Sequence, residues 1–286
     1  MFETIIQVED VQALLSSGAD LLILDCEFDL GDPDKGQALY RAAHLPRARY
    51  VDLECDLSGA VTGVNGRHPL PARTAFAASV RTWGLKPDQQ VIAYDGNGGI
   101  YAARLWWMLR WLGHAPVAVL DGGRQAWIAA GLPMESGLPP PTRESDFAVS
   151  EPLVGTPVTT RDLLANLECS ELQVIDARDA QRFAGQPHPL DTASGHIPGA
   201  RNRFYRDNLD EQGRFKPAEA LAQEFGAVLG GRGPHDTVMQ CGSGVTACHN
   251  ALAMEIAGLK GTRLYAGSWS EWTADPARPI ARGTSE

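Results

Sequence analysis

The chain is poor in cysteine and has no C-x-x-C pair; its five cysteines are Cys26, Cys55, Cys169, Cys241 and Cys248. An odd number without paired spacing argues against a disulfide framework and against a zinc site. We therefore expect a reducing compartment, the cytoplasm, and neither a metal nor an organic cofactor. The N-terminus lacks a basic stretch followed by an apolar core, so no signal peptide is predicted, and no apolar run reaches membrane-spanning length.

Positive charge is also scarce: the chain has 25 Lys and Arg residues against 35 Asp and Glu residues, which gives a net charge of −10. A nucleic-acid or anionic-membrane partner needs a basic face, so neither is predicted, although a local basic pocket for a small anion is compatible with this balance. With 44% hydrophobic and 21% charged residues, the 286-residue chain has the composition of an ordinary globular protein with room for two domains.

Short apolar runs alternate with helical patterns along the whole chain. This alternation predicts an α/β fold in which each domain is a parallel sheet covered by helices on both faces. Between the strand that ends at Asp25 and residue 43, a polar loop is expected. In the first half, strands are expected at residues 20–24, 90–94 and 117–120 and helices at 11–16, 72–83, 101–112 and 125–130. Trp106, Trp107 and Trp111 are expected to pack inside.

The same landmarks then recur in the same order, at offsets between 145 and 152 residues. The pairs are Asp25 with Asp176, His44 with His196, Asp95 with Cys241, and Trp127 with Trp272. A near-constant offset indicates a duplicated domain. The predicted organisation is a non-catalytic domain at 1–132, a proline-rich semi-rigid linker at 133–157 and a catalytic domain at 158–286. Asp25 and Asp176 are equivalent residues of the two copies, and His196 has its equivalent in His44. Because the copy without Cys241 keeps them, Asp25, Asp176 and His196 are predicted to be structural.

Cys241 lies between a predicted buried strand, residues 237–239, and a helical pattern beginning at residue 247. The loop between them contains Gly242, Ser243 and Gly244. Such a loop aims backbone N–H groups and a helix N-terminus at one point, where the positive potential favours a thiolate. We therefore predict that Cys241 is a nucleophile.

Two other chemistries of a cysteine in a loop do not fit these residues. A cysteine phosphatase needs an arginine six positions after the cysteine to hold the phosphate, and that position is Ala247. A disulfide oxidoreductase needs a resolving cysteine nearby. Cys248 is about 10 Å along a helix from Cys241, beyond disulfide reach, and is predicted to be a buried helix residue.

Four motifs carry a resemblance to a known family, at residues 121–123, 195–200, 241–247 and 267–272. The Cys-Gly-Ser-Gly-Val-Thr-Ala loop resembles the active-site loop of the two-domain rhodanese-type sulfurtransferases, in its mercaptopyruvate form. This resemblance implies an inactive N-terminal copy, with Asp95 in place of Cys241, and an active site in a cleft between the domains.

The resemblance also implies roles for particular side chains. Ser243 is expected near His68 and near a carboxylate from the first domain, matched here by Glu54. Arg182 matches the first of two arginines that bind the donor's carboxylate, but Leu190 stands where the second is expected. The loop residues expected to contact the donor are Gly242, Gly244, Val245 and Thr246. Candidates for the missing cation are Arg201, Arg203, Arg206 and His188.

The function predicted from these residues is transfer of sulfur from 3-mercaptopyruvate to cyanide or to a thiol such as thioredoxin or glutathione, through a Cys241 persulfide. Rhodaneses that prefer thiosulfate carry basic residues after the cysteine, and Gly242 and Ser243 have no charge. Three alternatives remain open: a thiosulfate:cyanide sulfurtransferase, a persulfide carrier to a partner protein, and an interaction module with an unreactive Cys241.

Overall fold

The computed structural model describes residues 1–284, and the chain within it separates into two units. The first consists of Met1–Ser58, Pro71–Leu153 and Glu211–Arg214. The second consists of Gly59–Leu70, Val154–Asp210 and the chain from Phe215 onward. The 59–70 segment thus packs with the second unit, although the predicted boundaries assign it to the first domain. Those boundaries stay a prediction, and the last two residues of the predicted domain 158–286 lie outside the described part.

The first unit is built on a five-stranded parallel sheet in the order β1-β5-β4-β2-β3. Its strands are β1 (Ile5–Ile6), β2 (Leu21–Asp25), β3 (Arg49–Tyr50), β4 (Gln90–Tyr94) and β5 (Val117–Leu120). Its helices are α1 (Val8–Ser16), α2 (Pro33–Ala42), α3 (Arg73–Thr82), α4 (Ile100–Trp111) and α5 (Gly123–Ala129). Every residue of β2, β4 and β5 is buried, as expected for strands covered on both faces.

Helix α4 is the most deeply buried helix of the first unit. All of its residues after Ile100 are buried, including Trp106, Trp107 and Trp111, whose predicted internal packing is confirmed. Trp107 and Trp111 stack with their ring centroids 5.8 Å apart. A helix buried on every side has no solvent face, so its sequence shows little separation of polar and apolar residues between faces.

The second unit contains a four-stranded parallel sheet in the order β7-β6-β8-β9. The strands are β6 (Gln173–Asp176), β7 (Arg201–Asn202), β8 (Thr237–Gln240) and β9 (Arg263–Leu264). The helices are α6 (Thr160–Cys169), α7 (Ala180–Ala184), α8 (Ala218–Leu229), α9 (Thr246–Ile256) and α10 (Ser268–Trp272). Helix α6 begins with a capping box, in which the side chains of Thr159 and Asp162 each accept the other's backbone N–H.

The predicted duplication is visible in both sheets. Strands β5, β4, β2 and β3 of the first correspond in order to β9, β8, β6 and β7 of the second. His44 and His196 are equivalent: each is buried, each bonds a backbone carbonyl through Nδ1 and each stacks on an aromatic ring. The predicted structural role of His196 is therefore confirmed.

Two segments differ from what the sequence pattern indicates. The expected polar loop before residue 43 contains helix α2, whose only buried residues are Gly36 and Tyr40. Residues 133–153 of the linker are held to the first unit by backbone hydrogen bonds, among them Ser145 N–H to Arg81 O at 3.0 Å and Ser150 N–H to Leu112 O at 2.9 Å. Among residues 1–284, no helix is both long and apolar enough to cross a bilayer.

Candidate active site

Cys241 is the first residue after β8, and four residues separate it from α9. Its side chain is buried, with the residue only 2% exposed. The backbone on both sides of the sulfur is fixed by the turn that begins α10. Cys241 N–H donates to Ser268 Oγ at 3.1 Å, and its carbonyl accepts the N–H of Trp269 at 3.0 Å. The nucleophile predicted from the sequence is therefore held at the carboxyl end of a central strand, where parallel α/β sheets bind ligands.

Gly244 supplies the loop's hydrogen bond to the sulfur. Its N–H donates to Cys241 Sγ at 3.1 Å, a contact that stabilises negative charge on sulfur. Gly244 has φ of +80°, and a side chain there would collide with the Ala266 carbonyl, so glycine is required on both counts. Cys248 is a buried thiol that donates to the Gly244 carbonyl at 3.4 Å, in agreement with its predicted place in the helix.

Ser243, two residues after Cys241, forms a buried pair with His68. Ser243 Oγ lies 2.8 Å from His68 Nδ1, and the two residues are 5% and 3% exposed. The structure thus brings together two residues that are 175 positions apart in the sequence. Both belong to the second unit, because the 59–70 segment packs there.

The 59–70 segment is attached to the turn that also holds the nucleophile. Gly66 has φ of +86°, and a side chain on it would meet the Gly267 carbonyl at 2.7 Å. Arg67 N–H donates to Ser270 Oγ at 3.1 Å. Ser270 N–H in turn donates to the Gly242 carbonyl at 3.0 Å, so one turn positions both the cysteine loop and His68.

Glu54, the carboxylate expected beside Ser243 and His68, belongs to the first unit. It lies in the turn after β3 with an exposed side chain, and its backbone N–H donates to Asp52 Oδ1 at 2.8 Å. Its predicted role stays a prediction. Val245 is buried before α9, and Thr246 is the first residue of that helix, so both follow the loop as expected.

Arg182, the predicted carboxylate ligand, is already paired. It donates to both oxygens of Asp191, from Nε at 2.9 Å and from Nη2 at 2.7 Å, and the arginine lowers the pKa of that carboxyl against the opposing effect of burial. Arg178 also reaches Asp191, at 3.4 Å, and forms a buried ion pair with Asp176 at 2.6 Å. The Arg182 guanidinium nevertheless lies close to the cysteine loop. If Gly242 carried a Cβ, that atom would be 3.1 Å from Arg182 Nη2.

No role is predicted for Arg67 from the sequence, and the structure places its guanidinium beside the cysteine loop. Its Nη1 donates to the Leu190 carbonyl at 2.6 Å, and its Nη2 lies 3.0 Å from the same Gly242 Cβ position. Adjacency to His68 was the only signal in the sequence. The four candidates considered for a second cation are used elsewhere: Arg201 bonds the Val228 carbonyl, Arg203 pairs with Glu224, Arg206 bonds the Tyr205 hydroxyl, and His188 accepts the Leu190 N–H.

Comparison with known proteins shows the family of this chain. The sequence profile of the rhodanese-like domain matches residues 7–130 and 159–275. The chain belongs to the rhodanese family. It is 48% identical over 269 residues to a probable 3-mercaptopyruvate sulfurtransferase of Pseudomonas aeruginosa, covering 93% of this chain and 94% of that one. It is 36% identical to a putative thiosulfate sulfurtransferase of Mycobacterium tuberculosis, covering 99% and 98%.

Solved structures of rhodanese-type enzymes match over almost the whole chain. A 3-mercaptopyruvate sulfurtransferase from Leishmania major superposes with a TM-score of 0.83 at 33% identity, over 97% of this chain and 75% of that one. The Escherichia coli enzyme SseA, described as a 3-mercaptopyruvate sulfotransferase, gives 0.79 at 29% identity over 94% and 99%. The predicted fold of two rhodanese-like domains and the predicted class of sulfur-group transferase are confirmed.

The first rhodanese domain has a carboxylate where the second has its sulfur. Asp95 is fully buried and accepts four backbone N–H groups at 2.8–2.9 Å, from Asn97, Gly99, Tyr101 and Ala102. Its carboxylate fills the anion site that this strand–loop–helix arrangement creates. The loop donors are thereby satisfied from within the domain, and this accounts for a copy that keeps the loop without a reactive sulfur.

A cluster of carboxyl groups around Asp95 gives the first domain a pH-dependent stability. Burial, with the charges of Asp95 and Asp25, raises the pKa of Glu27 to about 7. Burial likewise raises the pKa of Asp25 to about 6. A carboxyl whose pKa is raised on folding holds its proton more tightly in the folded state. Stability is therefore lost as the pH rises from about 4, the ordinary value, towards 7.

Glu27→Gln is expected to stabilise the protein at pH 8 by about 1–2 kcal/mol and to change its stability little at about pH 3, where glutamate is protonated in both states. The amide oxygen can still accept the Asn97 Nδ2–H bond that Glu27 Oε1 now accepts at 2.8 Å. The measurement is thermal unfolding of the two proteins at both pH values. Glu9→Gln, on the exposed face of α1, is the control. An equal change in Tm at the two pH values would contradict the assignment.

Proposed function

We propose that this enzyme transfers sulfur from 3-mercaptopyruvate to a thiol or to cyanide through a persulfide on Cys241. The observation that carries the choice of donor is the buried Ser243–His68 pair, with its 2.8 Å contact, in the loop of the nucleophile. Mercaptopyruvate leaves as an enolate that must receive a proton on carbon, whereas thiosulfate leaves as sulfite and needs none. A hydroxyl and an imidazole next to the sulfur serve the first reaction only.

In the first half-reaction the Cys241 thiolate attacks the donor sulfur. An S–S bond forms as the donor's C–S bond breaks, and the electron pair of that bond goes to carbon, giving the enolate of pyruvate. The proton of the donor's thiol group passes through Ser243 Oγ and His68 to that carbon. The products are pyruvate and the Cys241 persulfide anion, with no net change in protons. The Gly244 N–H stabilises the anionic sulfur throughout.

In the second half-reaction an acceptor removes the outer sulfur. A thiolate attacks it, the S–S bond of the persulfide breaks, and Cys241 is released as the thiolate while the acceptor carries the new persulfide. Cyanide in the same position gives thiocyanate. Thioredoxin and glutathione are the proposed thiol acceptors. The cytoplasm is the proposed location because reducing conditions keep Cys241 and the acceptor as free thiols.

Thiosulfate:cyanide sulfurtransfer is the second candidate. It is favoured by the two guanidinium groups over Gly242, which suit a dianion, and by the thiosulfate sulfurtransferase names of several relatives. A persulfide carrier would use the same Cys241 chemistry but deliver one sulfur per chain to a partner protein.

The test is the mass of the intact protein after mixing with either donor, followed by turnover with a small thiol. We expect one added sulfur from 3-mercaptopyruvate, stoichiometric pyruvate, and many turnovers per chain. Loading from thiosulfate alone would overturn the choice of donor. Loading without repeated turnover would favour the carrier, and no loading of reduced, folded protein by either donor would overturn the sulfurtransferase proposal.

A further inference from the structure

The resemblance to mercaptopyruvate sulfurtransferases implies two arginines for the donor's carboxylate, and helix α7 with the chain after it supplies one of them, Arg182. Arg182 has two of its N–H groups committed to Asp191, and Leu190 offers an aliphatic side chain where a second guanidinium is needed. An aliphatic group cannot replace a bidentate hydrogen-bond donor. The requirement for a second cation must therefore be met by another part of the chain, or the carboxylate of the donor is poorly held.

Arg67 meets this requirement from a different segment. Its Nη1 donates to the backbone carbonyl of Leu190. This bond holds the Arg67 guanidinium beside residue 190, where the family resemblance places the second arginine. Its Nη2 and that of Arg182 lie 3.0 and 3.1 Å from one point above Gly242, so the two nitrogens are at most about 6 Å apart. One carboxylate bridges such a span with charge-assisted hydrogen bonds of about 2.8 Å.

The electrostatic surroundings of Arg67 agree with this role. Burial lowers the pKa of its guanidinium, while the Cys241 sulfur and Asp191 raise it, because nearby negative charge favours the cation. Arg67 is half-buried beside the nucleophile, and no carboxylate within residues 1–284 forms an ion pair with it. Its guanidinium therefore retains capacity for an anionic ligand. Gly242 leaves the space that the ligand needs, since a side chain there would press on both guanidinium groups.

We propose that Arg67 is the second arginine for the donor's carboxylate, acting with Arg182 in place of the residue at position 190. The inference deepens the proposed function and rests on it for the identity of the donor. It makes Arg67 and His68, two consecutive residues of the 59–70 segment, responsible for two tasks: Arg67 binds the carboxylate, and His68 serves the proton transfer.

The decisive experiment compares Arg67→Met with the double variant Arg67→Met/Leu190→Arg. In steady state with 3-mercaptopyruvate and a thiol, Arg67→Met is expected to lower kcat/KM roughly 10- to 150-fold, mainly through KM, as loss of a charged hydrogen bond predicts. Leu190→Arg should restore most of it. A merely structural role of Arg67 would not be rescued, because the new guanidinium comes from a different segment. Arg161→Met, on the exposed surface of α6, is the matched control.

A second readout does not depend on turnover. Pyruvate carries the same carboxylate as the donor and should protect Cys241 from iodoacetamide in the parent enzyme. Arg67→Met should raise the half-protecting concentration at least about tenfold, and Leu190→Arg should lower it again. Unchanged protection, or no rescue by Leu190→Arg in either assay, overturns the role of Arg67. Failure of the proposed function is seen separately, as failure of the parent enzyme to load sulfur from 3-mercaptopyruvate.

Discussion

Cys241→Ser abolishes sulfur loading from every donor and lowers turnover by at least about 10⁴-fold, the expected result for loss of a covalent nucleophile. The serine hydroxyl stays protonated at neutral pH and forms no persulfide. The substitution is nearly isosteric, and the backbone bonds of residue 241 to Ser268 and Trp269 are retained, so the fold is expected to persist. Intact-protein mass and steady-state rates measure the effect.

Cys169→Ser is the matched control, because Cys169 is an exposed cysteine at the end of α6, and it should load one sulfur like the parent. Alkylation at neutral pH adds a second comparison. Burial and nearby carboxylates raise the pKa of Cys26 well above its ordinary value, and the charge of Asp52 raises that of Cys55. Cys241 is expected to react with iodoacetamide faster than either. Sulfur retained on the Cys241→Ser protein would assign the nucleophile to another cysteine.

Ser243→Ala and His68→Gln are expected to separate the two donors. Each should lower kcat with 3-mercaptopyruvate by about 10²–10⁴-fold, the usual contribution of a positioned acid–base group. Loading from thiosulfate, which requires no proton on the leaving group, should change only a few-fold. The measurement is the single-turnover rate of persulfide formation with each donor, so that the acceptor step does not enter.

The double variant Ser243→Ala/His68→Gln provides the internal control for that prediction. If the two side chains act as one proton relay, the double variant should be little worse than either single variant. Equal losses with mercaptopyruvate and thiosulfate would show that the 2.8 Å contact serves only to hold the cysteine loop. Additive losses would show that the two residues act independently.

Local patterns in the sequence were sufficient wherever one element carried the information. Strands β2, β4 and β5 are short apolar runs, so their residues identify them without tertiary context. Helix α2 was missed because only Gly36 and Tyr40 of its ten residues are buried, which leaves almost no apolar periodicity to read.

The cysteine loop and the duplication were determined by the sequence alone. The order strand, Cys241, glycines, helix specifies an anion-binding turn through backbone geometry, and glycine at position 244 is required by its own φ. Recurrence of landmarks at a near-constant offset specifies two copies of one topology, and the exchange of Asp95 for Cys241 distinguishes them.

Only the tertiary structure decided which positively charged side chain lies beside the cysteine loop together with Arg182. The sequence pointed to the chain around Leu190 and to Arg201, Arg203 and Arg206, which are near Arg182 in sequence. The structure instead brings in Arg67, more than one hundred residues earlier, because Gly66 and Ser270 attach the 59–70 segment to the second unit. Proximity across such a distance is set by packing between segments, and a linear pattern of residue types carries no record of it.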